Sequence, residues 1–264
     1  MFGKLKSLFG GTDAKPRMHV APEPTTETLI APEHIFAAVG DVHGCLPQLE
    51  TLYGKLKSEF GSDLPVIFLG DIVDRGPDTA GALRMIYELC RDAPESHGAI
   101  MGNHEEMMLE FIDDPVGKGS RWLVFGGQQT LASFGISIPS TRPDVEEAME
   151  VAEALEDAMP QGMLAWLRGL PTHWSTGNIH CVHAGMNPGL APGDQTDRVM
   201  INGHPAFLTT PRHDGQTVLH GHTVMNKATI GDGRISIDTG AYMTGVLTAA
   251  HVAPGTCRFL STGS

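Results

Sequence analysis

The most constraining feature of this sequence is a series of short apolar segments that end in glycine and are followed at once by a residue able to bind a metal ion. Between them lie longer stretches in which apolar residues recur with helical spacing. This alternation predicts an α/β fold, a sheet with helices on its faces. The predicted strands are 34–40, 64–70 and 98–102, and the predicted helices are 46–60, 79–90 and 104–112.

The remainder of the chain has a different organisation. Residues 11–33 are rich in Pro, Thr, Glu and Ala and are predicted to form a linker or an extended arm. Residues 113–170 are predicted to be helical, with an acidic helix over 144–159, and are interpreted as an inserted helical cap. Strands return after residue 172 and are predicted at 178–182, 217–219, 234–237 and 246–251.

Metal-ligand residue types follow the three N-terminal strands at the point where each strand ends. Asp41 and His43 follow the first strand, Asp71 the second and Asn103 the third. In open α/β sheets ligands bind just outside the carboxyl ends of the strands, and glycine permits the sharp turn required there. These four side chains are therefore predicted to converge on one crevice.

Two histidine-containing segments in the second half supply further candidates. They are Val182-His183-Ala184-Gly185 and His220-Gly221-His222-Thr223. Mixed oxygen and imidazole ligands suit Mn²⁺, Fe or Zn²⁺ better than Ca²⁺. Each segment alone is a weak signal, because Asp commonly caps helices and turns and a lone buried His is more often a core residue. Five such segments in order favour a metal site.

A resemblance to a known family rests on six motifs. GDVHG, GDIVDRGPDT, GNHE, HAG, GHT and DTGA resemble, in that order, the signature of the phosphoprotein phosphatase family of calcineurin-like metallophosphoesterases, small bacterial and phage type. The resemblance covers about residues 34–252. It implies a β-sandwich flanked by helices, formed by residues 34–264 after an N-terminal tail and linker of residues 1–33.

The resemblance also implies a pair of divalent metal ions, with Mn favoured over Fe or Zn. Asp41, His43 and Asp71 would bind the first ion, and Asp71 would bridge to the second. Asn103, His183 and His222 would complete the second site, with His222 preferred to His220 because of its position in the GHT motif. A hydroxide bridging the ions would attack phosphorus.

Three residues are assigned catalytic roles by the same resemblance. His104 would be the general acid, Asp74 would orient it, and Arg75 would bind phosphate oxygens. The alternatives are that Asp74 caps the helix starting near Pro77 and that Arg75 caps a surface loop. Asp238 has two interpretations, orientation of a ligand histidine or the shaping of a turn.

The sequence departs from the family pattern at one position. Relatives carry a second phosphate-binding arginine between the HAG and GHT motifs, but this chain has Val199-Met200-Ile201-Asn202-Gly203-His204 there. His204 lies nearest in register, and Arg198 and Arg212 flank the segment as possible replacements.

Three functions are compatible with these motifs. The leading hypothesis is a two-metal phosphomonoesterase that acts as a protein serine/threonine phosphatase. The second is a hydrolase of dinucleoside polyphosphates such as diadenosine tetraphosphate, a branch in which GDLVARGP and GNHD are typical. Asp74 and Glu105 favour the first hypothesis over the second. The third is a non-catalytic phosphoprotein-binding module, against which His104 argues.

Composition limits the partners. With 18 Lys plus Arg and 31 Asp plus Glu, the net charge of −13 disfavours nucleic acid. The resemblance implies a phosphorylated protein or a small phosphoester as substrate. The four cysteines form no C-x-x-C pair, which favours reduced thiols and a cytoplasmic location. We expect no membrane span. Residues 1–10 (MFGKLKSLFG) are either a weak surface anchor or a frayed tail.

Overall fold

Two five-stranded sheets pack face to face in the computed structural model, which describes residues 17–20 and 23–263. The strands are β1 Phe36–Val39, β2 Val66–Phe68, β3 His97–Ala99, β4 His173–Thr176, β5 Ile179–Val182, β6 Thr217–His220, β7 Thr229–Gly231, β8 Arg234–Ser236, β9 Thr248–Ala253 and β10 Thr256–Ser261. The α-helices are α1 Leu46–Phe60, α2 Thr79–Asp92, α3 Asn103–Asp113, α4 Gly127–Ser133, α5 Val145–Ala158, α6 Met163–Arg168, α7 Asp197–Asn202 and α8 Ala241–Thr244. Two 3₁₀ helices span Lys118–Val124 and Pro192–Asp194.

The first sheet has the strand order β10-β9-β1-β2-β3. Strands β1, β2 and β3 are parallel, whereas β9 runs antiparallel to both β1 and β10. The second sheet has the order β4-β5-β6-β8-β7, with β5, β6 and β8 parallel and an antiparallel strand at each edge. Each sheet therefore brings the carboxyl ends of three parallel strands to one edge.

The strands of the first sheet are buried on both faces. In β1, Phe36 and Ala38 face the second sheet, where they join a cluster that includes Ile179 and Leu219. Ala37 points the other way, into the cluster formed with the helices. This alternation follows from the two-residue period of a strand, and burial on both sides explains why β1 is uniformly apolar in sequence. The predicted β-sandwich flanked by helices is confirmed.

The predicted helical segment 113–170 contains the first 3₁₀ helix, α4, α5 and α6. These helices add to the layer on the outer face of the first sheet, where Trp122, Leu131 and Leu155 are fully buried beside α3. The acidic helix predicted over 144–159 is α5, and its exposed face carries the glutamates.

The described part of the N-terminal segment lies along the second sheet as an extended arm rather than a free linker. Asp232 Oδ1 accepts hydrogen bonds from the backbone and hydroxyl groups of Thr25 and Thr26, and the carbonyl of Leu29 accepts one from Thr217. His19 pairs with the segment around Met225, which follows His222. The surface anchor or frayed tail predicted for residues 1–10 lies outside the described residues.

The three strands that the sequence did not predict all lie at sheet edges. Strands β4 and β7 are edge strands of the second sheet, and β10 is an edge strand of the first. None of the three contains a buried apolar run. The predicted strand 246–251 is shifted to β9. The predicted strands 34–40, 64–70 and 98–102 correspond to the shorter β1, β2 and β3, each of which ends before its glycine because the chain leaves the sheet there to enter the turn.

All four cysteines are unpaired, as expected from their spacing. Within residues 17–20 and 23–263, no helix has both the length and the apolar character needed to cross a bilayer.

Candidate metal centre

The loops that follow β1, β2, β3, β5 and β6 meet at one end of the sandwich. The carbonyl of Asp71 accepts hydrogen bonds from the backbone of Val42 and His43, which joins the first two loops. The carbonyl of His183 accepts one from Gly221, which joins the two loops of the second sheet. Because all five strands end here, residues from both sheets form a single crevice, as the sequence predicted.

Two glycines in these loops allow contacts that a larger residue would prevent. A Cβ at Gly76 would lie 1.9 Å from the carbonyl oxygen of His43, and one at Gly102 would lie 2.3 Å from the nitrogen of Asp71. Neither distance is compatible with a side chain. The glycines of the motifs are thus required for the close approach of the loops.

The backbone of the site is strained. Six described non-glycine residues have a positive φ, and all but Asp232 lie in this crevice: His43, Asp71, Asp74, Arg75 and His222. A left-handed conformation costs such residues of order 1–3 kcal/mol each and persists only where the surrounding structure fixes it. The concentration of strain marks this crevice as the functional site.

The carboxylate of Asp71 lies between two groups of ligand atoms. Its Oδ2 is 3.5 Å from His43 Nε2 and 3.9 Å from His104 Nε2, while its Oδ1 is 3.3 Å from His183 Nε2. The side chain is 2% exposed. This placement is the one a carboxylate needs to bridge a pair of metal ions.

The second group combines residues of both sheets. His183 Nε2 lies 2.9 Å and His222 Nδ1 2.8 Å from Asn103 Oδ1, and the two imidazole nitrogens are 3.2 Å apart. Three potential ligand atoms therefore point at a common centre next to Asp71 Oδ1.

The chemistry of these donors fits a metal ion. The ring nitrogens His43 Nδ1 and His183 Nδ1 lie 2.7 and 2.8 Å from the carbonyls of Val73 and Leu69, which accept their protons. The opposite nitrogen of each imidazole, Nε2, then faces Asp71 and is the nitrogen available to a metal ion, which would displace any proton held there, the arrangement that outer hydrogen bonds impose on metal-binding histidines.

The electrostatics of the centre favour a positive charge. Burial opposes ionisation of Asp71, but His183, His104 and His43 hold its pKa well below the usual value. Burial lowers the pKa of His183, but Asp71 and Asp41 outweigh it and raise this pKa to about 10. Burial lowers the pKa of His222 to about 4, so that imidazole is neutral and free to bind a metal.

Asp41 differs from the other predicted ligands. Both of its carboxylate oxygens accept hydrogen bonds from the backbone nitrogen of His222, at 3.1 and 3.0 Å. The groups of mutually close ligand atoms consist of His43, Asp71 and His104, and of Asp71, His183 and His222, and Asp41 is in neither group. Burial and the nearby carboxylate of Asp238 raise the pKa of Asp41 well above its usual value.

The predicted catalytic residues form one hydrogen-bonded chain. His104 Nδ1 donates to Asp74 Oδ2 at 2.6 Å, and Arg75 donates to His104 Nε2 and to His43 Nε2, each at 2.8 Å. Asp74 does not cap the following helix, since the N-cap of α2 is Asp78. Arg75 also lies over the ring of Tyr242, 4.8 Å from its centroid, and so projects into the crevice instead of capping a surface loop.

Sequence reasoning missed two residues of the helical insertion. Both hold Asp74 in place within this hydrogen-bonded series. Trp122 Nε1 donates to both oxygens of Asp74 at 3.0 and 2.9 Å, and the Thr130 hydroxyl donates to Asp74 Oδ1 at 2.7 Å. Both side chains are fully buried. No local sequence signal identifies them, because they lie 48 and 56 residues from Asp74.

Glu105 was interpreted from sequence as a marker of substrate class, but its carboxylate contacts the protein backbone. It accepts hydrogen bonds from the nitrogens of Asp71, Ile72, Val73 and Gly102 at 2.7 to 3.1 Å, and it is fully buried. The side chain therefore holds the strained loop after β2 in place.

The structure also separates the alternatives left open by the sequence. Both ring nitrogens of His220 are engaged, by the Gly221 carbonyl and the Ser236 hydroxyl, so His222 alone of the pair joins the ligand group. The Asp238 carboxylate accepts from the backbone of Gly240, which supports the turn-shaping interpretation.

The candidate replacements for the second arginine lie in different environments. Arg212 is buried in an ion pair with Asp214 and donates to the carbonyls of Asn187 and Leu190. His204 Nδ1 accepts a hydrogen bond from the backbone of Ala206. Arg198 alone of the three has its side chain exposed to solvent, on α7.

His43, Asp71, Asn103, His183 and His222 are thus the residues that would hold the metal ions, with Asp41 beside them. When bound, such ions act as Lewis acids on phosphate oxygens and make hydroxide available near neutral pH. In this crevice Arg75 would be placed to orient phosphate oxygens and His104 to give a proton to a leaving oxygen, while the hydrogen bond to Asp74 fixes the tautomer of His104. This combination defines a metal-dependent hydrolase of phosphoric esters.

Comparison with known proteins agrees with this class. Residues 35–226 match the calcineurin-like phosphoesterase family, and because the match spans more than half of the chain, the protein belongs to that family. A relative named bis(5′-nucleosyl)-tetraphosphatase PrpE [asymmetrical], from Oceanobacillus iheyensis, is 24% identical over 234 residues, which cover 80% of this chain and 86% of that protein.

Similar solved structures share the fold. A protein described as a diadenosine tetraphosphatase candidate has a TM-score of 0.60 at 20% identity, covering 89% of this chain and 97% of its own. A serine/threonine phosphatase from Saccharomyces cerevisiae has a TM-score of 0.56 at 15% identity, covering 90% and 84%. The calcineurin-like family is therefore established by the family match, and the solved structures show that the fold is shared, but neither shows the narrower phosphoprotein phosphatase family.

Proposed function

We propose that this protein hydrolyses dinucleoside tetraphosphates, the function that the sequence analysis ranked second. The supporting observation is that a relative matching 80% of the chain carries the name of such an enzyme. In this reaction water attacks one phosphorus, the bridging P–O bond breaks, and the nucleotide product leaves with the electron pair and takes up a proton.

The contacts of Glu105 remove one of the two arguments that favoured a protein phosphatase. Its carboxylate binds four backbone nitrogens below the crevice, so a change between Glu and Asp at this position alters the loop after β2 and not a substrate contact. Of the two residues that favoured the protein phosphatase hypothesis in the sequence, only Asp74 still favours it.

Dephosphorylation of serine or threonine in proteins is the second candidate, and the pair formed by Asp74 and His104 favours it. A serine alkoxide is a poor leaving group and needs a proton from a positioned acid, whereas a nucleotide phosphate leaves readily. The hydrogen bond of 2.6 Å between these buried side chains is suited to that role.

Substrate competition distinguishes the two candidates. At a fixed free Mn²⁺ concentration, we expect kcat/KM for diadenosine tetraphosphate to exceed that for a phosphoserine peptide by about tenfold or more, equivalent to about 1.4 kcal/mol. Separation of the products, AMP with ATP or two ADP, identifies the bond that is cut. A higher kcat/KM for the peptide would reject the tetraphosphate proposal in favour of the second candidate.

A further inference from the structure

A polar cavity of about 670 Å³ contains three cationic side chains that the reaction scheme above does not use. They come from two elements, the 3₁₀ helix Lys118–Val124 and α7. The residues that line the cavity are Glu106, Glu110, Lys118, Arg121, Arg198 and Asn202.

Each element that lines this cavity also carries, or is hydrogen-bonded to, a residue in or next to the candidate site. Glu106 lies in the first turn of α3, the helix that begins at the candidate ligand Asn103. The 3₁₀ helix that carries Lys118 and Arg121 also carries Trp122, the indole donor to Asp74. On α7, the carbonyl of Met200 accepts a hydrogen bond from Ala184, the residue after His183. The cavity is therefore lined by elements that also carry or contact residues of the crevice.

The lining carries one more cation than carboxylates, and two of its three cations make no ion pair with a described residue. Arg121 pairs with Glu110 at 2.8 Å, and Glu106 accepts a hydrogen bond from Asn202 at 3.3 Å. Lys118 and Arg198 are exposed, and neither has an ion-pair partner within residues 17–20 and 23–263. A cavity with an excess of cations, in a chain with net charge −13, is a site suited to an anion.

We propose that this cavity binds the distal phosphates of a polyphosphate substrate, those beyond the phosphorus that is attacked; the inference rests on the proposed tetraphosphate hydrolysis. Lysine and arginine bind phosphate oxygens through charge-assisted hydrogen bonds, and the guanidinium of Arg198 does so with two parallel donors. A phosphate monoester has no distal phosphates, so the cavity favours polyphosphates over monoesters.

The test compares Arg198→Gln with Arg84→Gln. Arg84 is an exposed arginine of α2 that lines a different cavity, so both variants remove the same charge. At fixed free Mn²⁺, kcat/KM is measured for diadenosine tetraphosphate and for p-nitrophenyl phosphate, together with the inhibition constant of tripolyphosphate against p-nitrophenyl phosphate. In Arg198→Gln we expect the ratio of the two kcat/KM values to fall about tenfold and the inhibition constant to rise about tenfold. Arg84→Gln should match the wild type in both.

Equal values for the two variants would overturn the cavity proposal, whatever the substrate. So would an equal loss on a phosphoserine peptide and on the tetraphosphate, since the site would then not select polyphosphates. If the wild type hydrolyses p-nitrophenyl phosphate but not the tetraphosphate, the proposed function fails, and the tripolyphosphate inhibition constant still decides whether the cavity binds a phosphate chain. Lys118→Gln provides an independent second variant and should change both quantities in the same direction as Arg198→Gln.

Discussion

At Asp71, a single carboxylate faces imidazoles from both sheets. Its two oxygens lie 3.5 Å from His43 and 3.3 Å from His183, and one of them also accepts the backbone hydrogen of His104 at 3.0 Å. Among the described residues, Asp71 is the member common to both groups of mutually close ligand atoms. Asp71 therefore links the two ligand groups and also accepts a hydrogen bond from the first turn of α3. Both its charge and its position affect the geometry of the site.

We expect Asp71→Asn to abolish metal binding and activity while the chain remains folded. The amide loses the negative charge and one ligand oxygen, so metal content should fall from about two ions per chain to less than one. Elemental analysis and p-nitrophenyl phosphate turnover measure the two effects. Asp63→Asn, at an exposed loop residue, is the matched control and should leave both at the wild-type level. A metal-loaded, active Asp71→Asn variant would contradict the assignment.

At the scale of single elements, the helical insertion supports Asp74 as well as contributing to the core. Thr130, at the centre of α4, donates to Asp74 Oδ1 and accepts from the backbone nitrogen of Asp74 at 3.0 Å. The strained conformation of Asp74, with φ of 74°, is therefore held from outside its own loop. The short helix α4 therefore fixes the orientation of Asp74, the hydrogen-bond partner of His104.

Thr130→Val tests that role with little change in shape. Because the two hydrogen bonds to buried Asp74 are lost and the carboxylate is left less satisfied, we expect the free energy of unfolding to fall by about 1–3 kcal/mol. We also expect a lower kcat on substrates with poor leaving groups, since the Asp74 carboxylate is less firmly placed. Chemical denaturation and steady-state kinetics measure these changes. Thr130→Ser keeps the hydroxyl and should restore kcat; if it does not, the hydroxyl is not the relevant group.

The loop after β2 depends on close backbone contact, and Gly76→Ala should disrupt it. The added Cβ would meet the His43 carbonyl oxygen at 1.9 Å, so the loops must separate, at a cost of about 2–4 kcal/mol. Gly54→Ala is the control, because the Cβ there meets nothing within 4 Å in the middle of α1. That substitution should instead stabilise the protein by about 0.5–1 kcal/mol. Equal effects of the two substitutions on thermal unfolding would refute the steric argument.

The elements that the sequence predicted correctly are those with strong local patterns. The buried strand β1 and the helices α1 and α2 have continuous apolar runs or clear helical spacing. The edge strands β4 and β7 have neither, since their pairing is decided by neighbours far along the chain. For the same reason the motifs located most of the crevice, whereas the donors Trp122 and Thr130 emerged only from the fold.

At the scale of the whole molecule, the metal centre joins the two sheets. His43, Asp71 and Asn103 belong to loops of the first sheet, and His183 and His222 to loops of the second. Asn103 Oδ1 lies within 2.9 Å of both histidines across this boundary. A metal ion held by these residues would therefore connect the two sheets at the edge where the carboxyl ends of their parallel strands lie.

This arrangement predicts that metal binding stabilises the entire sandwich. A ligand that binds only the folded state adds about 2.7 kcal/mol at a concentration 100 times its Kd, so saturating Mn²⁺ should raise the Tm and chelation should lower it. Because the ligands come from both sheets, amide hydrogen exchange should slow in β1 and β2 and equally in β5 and β6. Asp71→Asn should show neither response. Protection confined to one sheet would mean that the metal ion is bound by residues of that sheet alone, and the candidate ligands of the other sheet would then need another role.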